Sequence, residues 1–300
     1  MQNAKLKNQL HLHLIVFIWG FTAILAALIS IDALSLVWYR VFIASITIFI
    51  FFKLKKIPLD EQLSDLLKFA LGGILIAIHW YTFFHAIKIS TISTTLITMS
   101  SSAFFVVLLK PFFGEKKIVF HELILAVIAT IGFVIIFKVE KLYTKGILTA
   151  LISAFLIAVF SLYNSKLIKN YKASKISFYE LFFAFLFMSA VLIYKGDMNF
   201  DFFVLPKFDW IYIVILATVC TAYPFVVATN LLKKMSPFTI VLTNNLEPVY
   251  GIILAVIIFG EKEKMSWQFY VGALIIFGSV LANAFIKNKK LKFRIKSKSY

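Results

Sequence analysis

Phe113-Gly114-Glu115-Lys116 and Phe259-Gly260-Glu261-Lys262 are one tetrapeptide written twice, 146 residues apart. The same shift lays residues 71–137 over 217–283 without a gap. Lys88 then meets Lys234, Ser90 meets Ser236, Leu96 meets Leu242 and Gly132 meets Gly278. Earlier in each half, at a shift of 140, Tyr39-Arg40-Val41-Phe42-Ile43-Ala44 matches Tyr179-Glu180-Leu181-Phe182-Phe183-Ala184. A single duplicated unit, with a small change in length between its two matching blocks, accounts for both correspondences.

The material that is duplicated is lipophilic. Of 300 residues, 61% are hydrophobic, 34 are Phe, only 15% are charged, and mean hydropathy is +0.93. A soluble chain cannot bury that share of apolar surface, so soluble enzymes, nucleic-acid-binding domains and disordered tails are excluded. A hydrocarbon core of about 30 Å takes ~20 helical residues to cross. That length fits ten apolar runs: 11–30, 33–52, 66–87, 89–113, 118–137, 146–168, 176–194, 209–232, 237–259 and 267–286. They are apolar on every face, which reads as helix and not as barrel strand. The polar lead 2–9 precedes a retained span and carries no cleavage signature of a signal peptide. Cys220, the single cysteine, lies in an apolar run and excludes a disulfide framework.

Charge orients the chain. Placing the N-terminus in the cytoplasm puts 22 of the 31 basic residues on that side and 8 on the other, with Arg40 inside a span. By the positive-inside rule both termini are cytoplasmic in the inner membrane. The net charge of +17 then belongs to short loops and a basic tail facing anionic lipid head groups, not to nucleic acid. Five spans per unit is an odd number, so the second copy crosses the membrane upside down. The expected fold is an all-α integral membrane protein of ten transmembrane helices in two inverted five-helix repeats, 1–138 and 139–288, followed by a basic tail, 289–300. Inverted repeats are the architecture of secondary transporters.

Several motifs resemble those of the drug/metabolite transporter superfamily, and within it the EamA-type permeases. They are Trp19-Gly20-Phe21-Thr22, Arg40 followed by Ala44, Ala86-Ile87-Lys88, the two Gly-Glu-Lys span ends at 114–116 and 260–262, and Leu246-Glu247-Pro248-Val249-Tyr250. The resemblance covers essentially the whole chain. It implies a ten-helix bundle that moves small organic solutes such as amino acids. One departure is Ser101-Ser102-Ala103 where relatives often carry a proline in the fourth span, which predicts helix kinking that differs between the halves.

Polar groups inside spans mark the candidate site, since a charge at mid-bilayer costs ~2.5–3.5 kcal/mol even on insertion scales. Glu247, beside Asn244 and Asn245 and ahead of Pro248, could bind an ammonium group or exchange a proton. Arg40 could clamp a substrate carboxylate or pin its helix to a neighbour. Glu180 is its mate in the inverted half, at a different depth, so no direct bridge between them is expected. His79 is the second proton-coupling candidate. Trp19, Trp80, Tyr163 with Asn164, and Tyr223 with Pro224 are expected to complete the cavity. His85 and Glu122 are expected at the interface, and Glu115 and Glu261 as surface anchors.

These residues predict a secondary transporter, with export the expected direction, that moves a small polar or zwitterionic metabolite by alternating access. The partners expected are that solute, the bilayer and, as a candidate coupling ion, protons. An ion-independent facilitator or exchanger of the same fold is the alternative. A membrane-embedded enzyme or scaffold is more distant, because no HExxH, GxSxG, P-loop or Cys/His ligand cluster is present. No metal or cofactor is expected.

Overall fold

A computed structural model describes residues 2–114, 120–139, 143–263 and 265–296. Glu115, Lys116 and the first two residues of the fifth expected span lie outside the described residues, as do Lys264 and the last four residues of the tail. Ten helices follow one another: α1 (Gln2–Leu28), α2 (Ala33–Leu54), α3 (Leu63–Ile89), α4 (Ile92–Phe113), α5 (Phe120–Val139), α6 (Thr144–Leu167), α7 (Ala173–Lys195), α8 (Lys207–Leu231), α9 (Pro237–Phe259) and α10 (Trp267–Lys296). Eight of them are long and apolar enough by themselves to cross a membrane; α5 and α10 contain shorter apolar stretches. Both ends of a ten-span chain fall on one side, here called the terminal face.

The helices begin and end where local chemistry stops them. Asp32 caps α2, accepting from the backbone N–H of Leu34 at 2.8 Å and of Ser35 at 3.2 Å. Thr91 does the same for α4 and Ser236 for α9, each through a hydroxyl accepting from the N–H three residues on. α7 stops at Gly196, whose φ of 74° is the left-handed conformation that glycine adopts without strain. Two expected boundaries shift. α1 starts well before residue 11, and α10 continues past residue 286 through the basic segment to Lys296. Backbone hydrogen bonding holds regardless of whether the side chains meet lipid.

Packing confirms the inversion. α3 packs on α6 and α7, as α8 packs on α1 and α2; α4 packs on α6, as α9 packs on α1. α2 packs on α7, α4 on α9 and α5 on α10. Exchanging the halves maps this set of neighbours onto itself, as a twofold relation between the repeats requires, and the odd number of spans per repeat makes that relation an inversion. α2, α3, α7 and α8 hold most of the buried core, whereas large side chains such as Leu67, Ile193, Ile257 and Leu274 point outward to lipid.

The expected difference in kinking is not observed. α4 breaks after Met99 and resumes at Ser102; α9 breaks after Asn244 and resumes at Glu247. Under the 146-residue shift the two breaks fall within one residue of each other. Proline is unnecessary in α4, because the Ser101 hydroxyl donates to the Thr98 carbonyl at 2.8 Å. The Asn245 amide, from the break in α9, donates to the Ser100 carbonyl at 3.1 Å. The two breaks therefore satisfy each other across the pseudo-symmetry axis.

The face opposite the termini is tied shut. Ser30 donates its N–H and hydroxyl to the Asp209 carboxylate, the hydroxyl at 2.5 Å. Glu263 accepts from the N–H groups of Ile92 and Ser93, both at 3.0 Å, and from the Ser93 hydroxyl at 2.8 Å, sealing the positive end of α4. Lys88 donates to the Ile29 carbonyl. On the terminal face the ties are more exposed. Lys175 meets Asp60 and Glu61 at 2.5 Å, and its hydrogen bond holds the Asp60 carboxyl below the usual range. Tyr171 donates to Asp65 at 2.5 Å.

Candidate substrate-binding site

α8 cannot run straight, because Pro224 has no N–H to give and its ring would strike the preceding turn. The helix widens into a π turn over Thr218–Ala222 just before it. Within that turn the Thr221 hydroxyl donates to the Leu216 carbonyl at 2.6 Å and accepts from Arg40 Nε at 2.6 Å. Arg40, about 10 Å down α2 at 1.5 Å per residue, is 2% exposed. Its guanidinium lies 4.1 Å from the centre of the Trp80 ring and 5.2 Å from that of Phe84, a cation–π setting. One nitrogen, Nη1, is buried with no hydrogen-bond partner.

Arg40 is one of the residues lining a cavity of about 130 Å³ that has walls from both halves of the chain. The volume is comparable to the ~150 Å³ that holds a benzene-sized guest. Trp19, Arg40, His79, Trp80, Asn244, Asn245 and Glu247 all contribute to its wall. It reaches Asn164, Thr229 and Leu232, in the last turns of α6 and α8, on the terminal side. Glu247, the first residue after the break in α9, shares the cavity with Arg40 without forming an ion pair with it. One end of the chamber thus offers an unsatisfied cationic donor and another a half-buried carboxyl beside two amides. Such a chamber can hold a small solute bearing both charges.

His79 is committed on one side. Its Nδ1 lies 3.0 Å from the Ser153 carbonyl and 2.8 Å from the Ser153 hydroxyl. A carbonyl only accepts, so Nδ1 carries the proton and Nε2 is left as an acceptor. His79 therefore ties α3 to α6 as well as lining the cavity.

Two expected lining residues are elsewhere. The Tyr163 hydroxyl donates to the Lys68 carbonyl at 2.9 Å, toward the terminal face, and Tyr223 is 44% exposed on the outside of α8. Their neighbours Asn164 and Phe225 line the cavity instead. In helices apolar all round, nothing in the sequence fixes rotation about the axis. Glu122, near the start of α5, is buried and paired with Lys110 at 2.6 Å. Thr221, which aims Arg40, was not singled out from the sequence, although its place just before Pro224 was a usable signal. Phe225 was legible too, as the repeat mate of His79.

A ten-helix inverted bundle around a central chamber, largely apolar with a few charged and amide groups, is the build of a membrane transporter. The EamA-like transporter family model matches residues 9–138 and 144–285, and the chain belongs to that family. No curated protein gives a significant match. A solved structure, described only as the crystal structure of a protein, superposes with a TM-score of 0.68 at 14% identity, over 91% of this chain and 95% of its own. That likeness concerns the fold alone.

Proposed function

We propose that the cavity binds a small zwitterionic metabolite such as an amino acid, its carboxylate on Arg40 and its ammonium group at Glu247, Asn244 and Asn245. The single observation that carries this reading is that Arg40, whose Nη1 has no hydrogen-bond partner, lines the same chamber as the unpaired carboxyl of Glu247. A guanidinium is matched best by a planar anion with two oxygens. Trp19 and Trp80 supply flat apolar walls for the rest of the solute. Transport proceeds by alternating access between residues 1–138 and 139–288, with 289–300 as the tail. The meeting of the two breaks at Asn245 and Ser100 is the natural pivot, since the kinked segments there lean on each other and not on continuous helix. A chamber that extends toward the terminal side as far as Asn164 and Thr229, with buried ties on the other face, favours loading from the terminal side. With the basic residues placing that side in the cytoplasm of the inner membrane, this supports export.

Replacing Glu247 tests the assignment of charges. Glu247→Gln keeps the size and removes the anion. It is expected to weaken binding of the zwitterion about tenfold, since a hydrogen bond to a charged group is worth ~1.5–3 kcal/mol. Binding of an analogue without the amino group should be unchanged. Isothermal titration of the purified protein against both solutes measures this; equal losses for the two would remove Glu247 from ammonium recognition. Counterflow in proteoliposomes with and without a proton gradient then separates a coupled transporter from an ion-independent exchanger.

A further inference from the structure

Glu180 occupies in α7 the place that Arg40 occupies in α2, at the same depth from the opposite face. It is fully buried, at 0% exposure. α3 makes room for it: a Cβ on Gly72 would intrude on the Glu180 carboxyl, and one on Gly73 would lie 2.9 Å from the backbone nitrogen of Ala184. The inverted counterpart of this glycine pair is the start of the π turn in α8. The two halves thus open space for their buried ionisable residue by different means. Glu180 Oε2 accepts from the Asn164 amide at 3.2 Å, and Oε1 has no partner. Asn164 is 1% exposed, its Oδ1 is also unpartnered, and it lines the terminal-side end of the cavity.

Among the described residues no cation pairs with it. On α3, Lys68 is held by Asp65 at 2.8 Å, and His79 is held by Ser153. On α6, the Lys166 ammonium lies over the Phe113 ring and the Tyr163 hydroxyl is on the Lys68 carbonyl. On α8, the neighbouring Thr229 is taken up by Phe225 and Ser177. On α2, Arg40 is at Thr221 and Lys53 lies over Phe49. A carboxylate left in that position would be an uncompensated charge at a fully buried site, which costs several kcal/mol. A carboxylic acid would not, and its O–H would have a partner in Asn164 once the amide is turned over, since amide O and N are assigned from their contacts.

We propose that Glu180 is a second proton-binding site, separate from the substrate cavity, and that Asn164 links its protonation to the opening of the cavity on the terminal side. The proton enters from water at the terminal face and sits on the carboxyl while α3, α6 and α7 are packed. It leaves to water when α6 parts from the other two and hydrates the group. Acid therefore favours the packing described above, and raising the pH favours a wider terminal entrance. The inference extends the transporter reading but is tested without any substrate.

The full chain in lipid bilayers, titrated with acid and alkali, gives two readouts. Infrared spectroscopy should show a carboxylic-acid C=O stretch at neutral pH, present in the native protein and in Glu247→Gln and lost in Glu180→Gln. Spin labels on the exposed positions Lys56 and Lys169, in a Cys220→Ala background, should move apart as the pH rises, and should not respond in Glu180→Gln. Identical bands in the native protein and Glu180→Gln, or an undiminished response of the labels in that variant, would overturn the proposal. Should Glu180→Gln fail to fold, Asn164→Leu retains the carboxyl. Its band must then shift in frequency for want of the amide partner, and an unshifted band overturns the link to Asn164.

Discussion

Arg40→Met is expected to abolish measurable solute binding while leaving the melting temperature at or above that of the native protein. The two halves of this result come from the same geometry. Arg40 donates through Nε to Thr221, stacks on Trp80, and keeps Nη1 unpaired, so its burial is a net cost to the fold that an apolar side chain of similar length removes. Its loss takes away at least one charge-assisted bond to a carboxylate, ~1.5–3 kcal/mol each, or about 100-fold in affinity at 1.4 kcal/mol per tenfold. Arg40→Lys should be nearly as damaging to binding, because an ammonium group cannot hold Thr221 and a planar anion together. Thermal melts with and without amino acids decide the matter. A large fall in melting temperature without ligand would make Arg40 a structural pin between α2 and α8.

Glu122→Ala is expected to produce the largest loss of stability. Lys110 and Glu122 are both almost fully buried, with 2.6 Å between their charged atoms. Removing one member of such a pair takes from the other buried charge its close counter-ion, typically costing ~3–5 kcal/mol. At ~2–4 °C per kcal/mol for a large domain, the melting temperature should drop by about 10 °C. Replacing both, as Lys110→Met with Glu122→Leu, should restore most of it, because the penalty lies in the unpaired charge and not in the missing bridge. A double variant as unstable as the single one would show that the pair holds α4 to α5 by attraction.

The ten spans and their inversion were legible because the apolar runs are long and the repeat carries its own register: Lys88 on Lys234 and Gly132 on Gly278 leave little freedom. Arg40 and Glu247 were legible as charges that a membrane does not tolerate without reason. The rest depends on angles. Tyr163 and Asn164 are neighbours in sequence, yet one faces the terminal surface and the other the cavity, and a helix apolar on all sides gives no clue to which. The kink in α4 escaped because a serine, Ser101, bonds its hydroxyl to the Thr98 carbonyl at the break where α9 carries a proline. The pairing of Glu122 was not foreseen because its partner, Lys110, lies on the preceding helix, at the far side of a turn.

One fixed charge has an electrical consequence. On the alternating-access reading, the Arg40 guanidinium stays put while the water-filled route to it switches from one side of the membrane to the other. The transmembrane voltage falls across whichever side is sealed, so each switch carries nearly one elementary charge through the field even when the solute is neutral overall. That is worth ~2.3 kcal/mol per 100 mV. A terminal side held electrically negative then favours the arrangement in which Arg40 communicates with it, so energised vesicles should rest with the chamber facing inward. Transient capacitive currents on solid-supported membranes, present in the native protein and absent in Arg40→Met, would register that displacement. Nothing but the position of one unpaired arginine is needed to make the resting state of the protein sensitive to membrane potential.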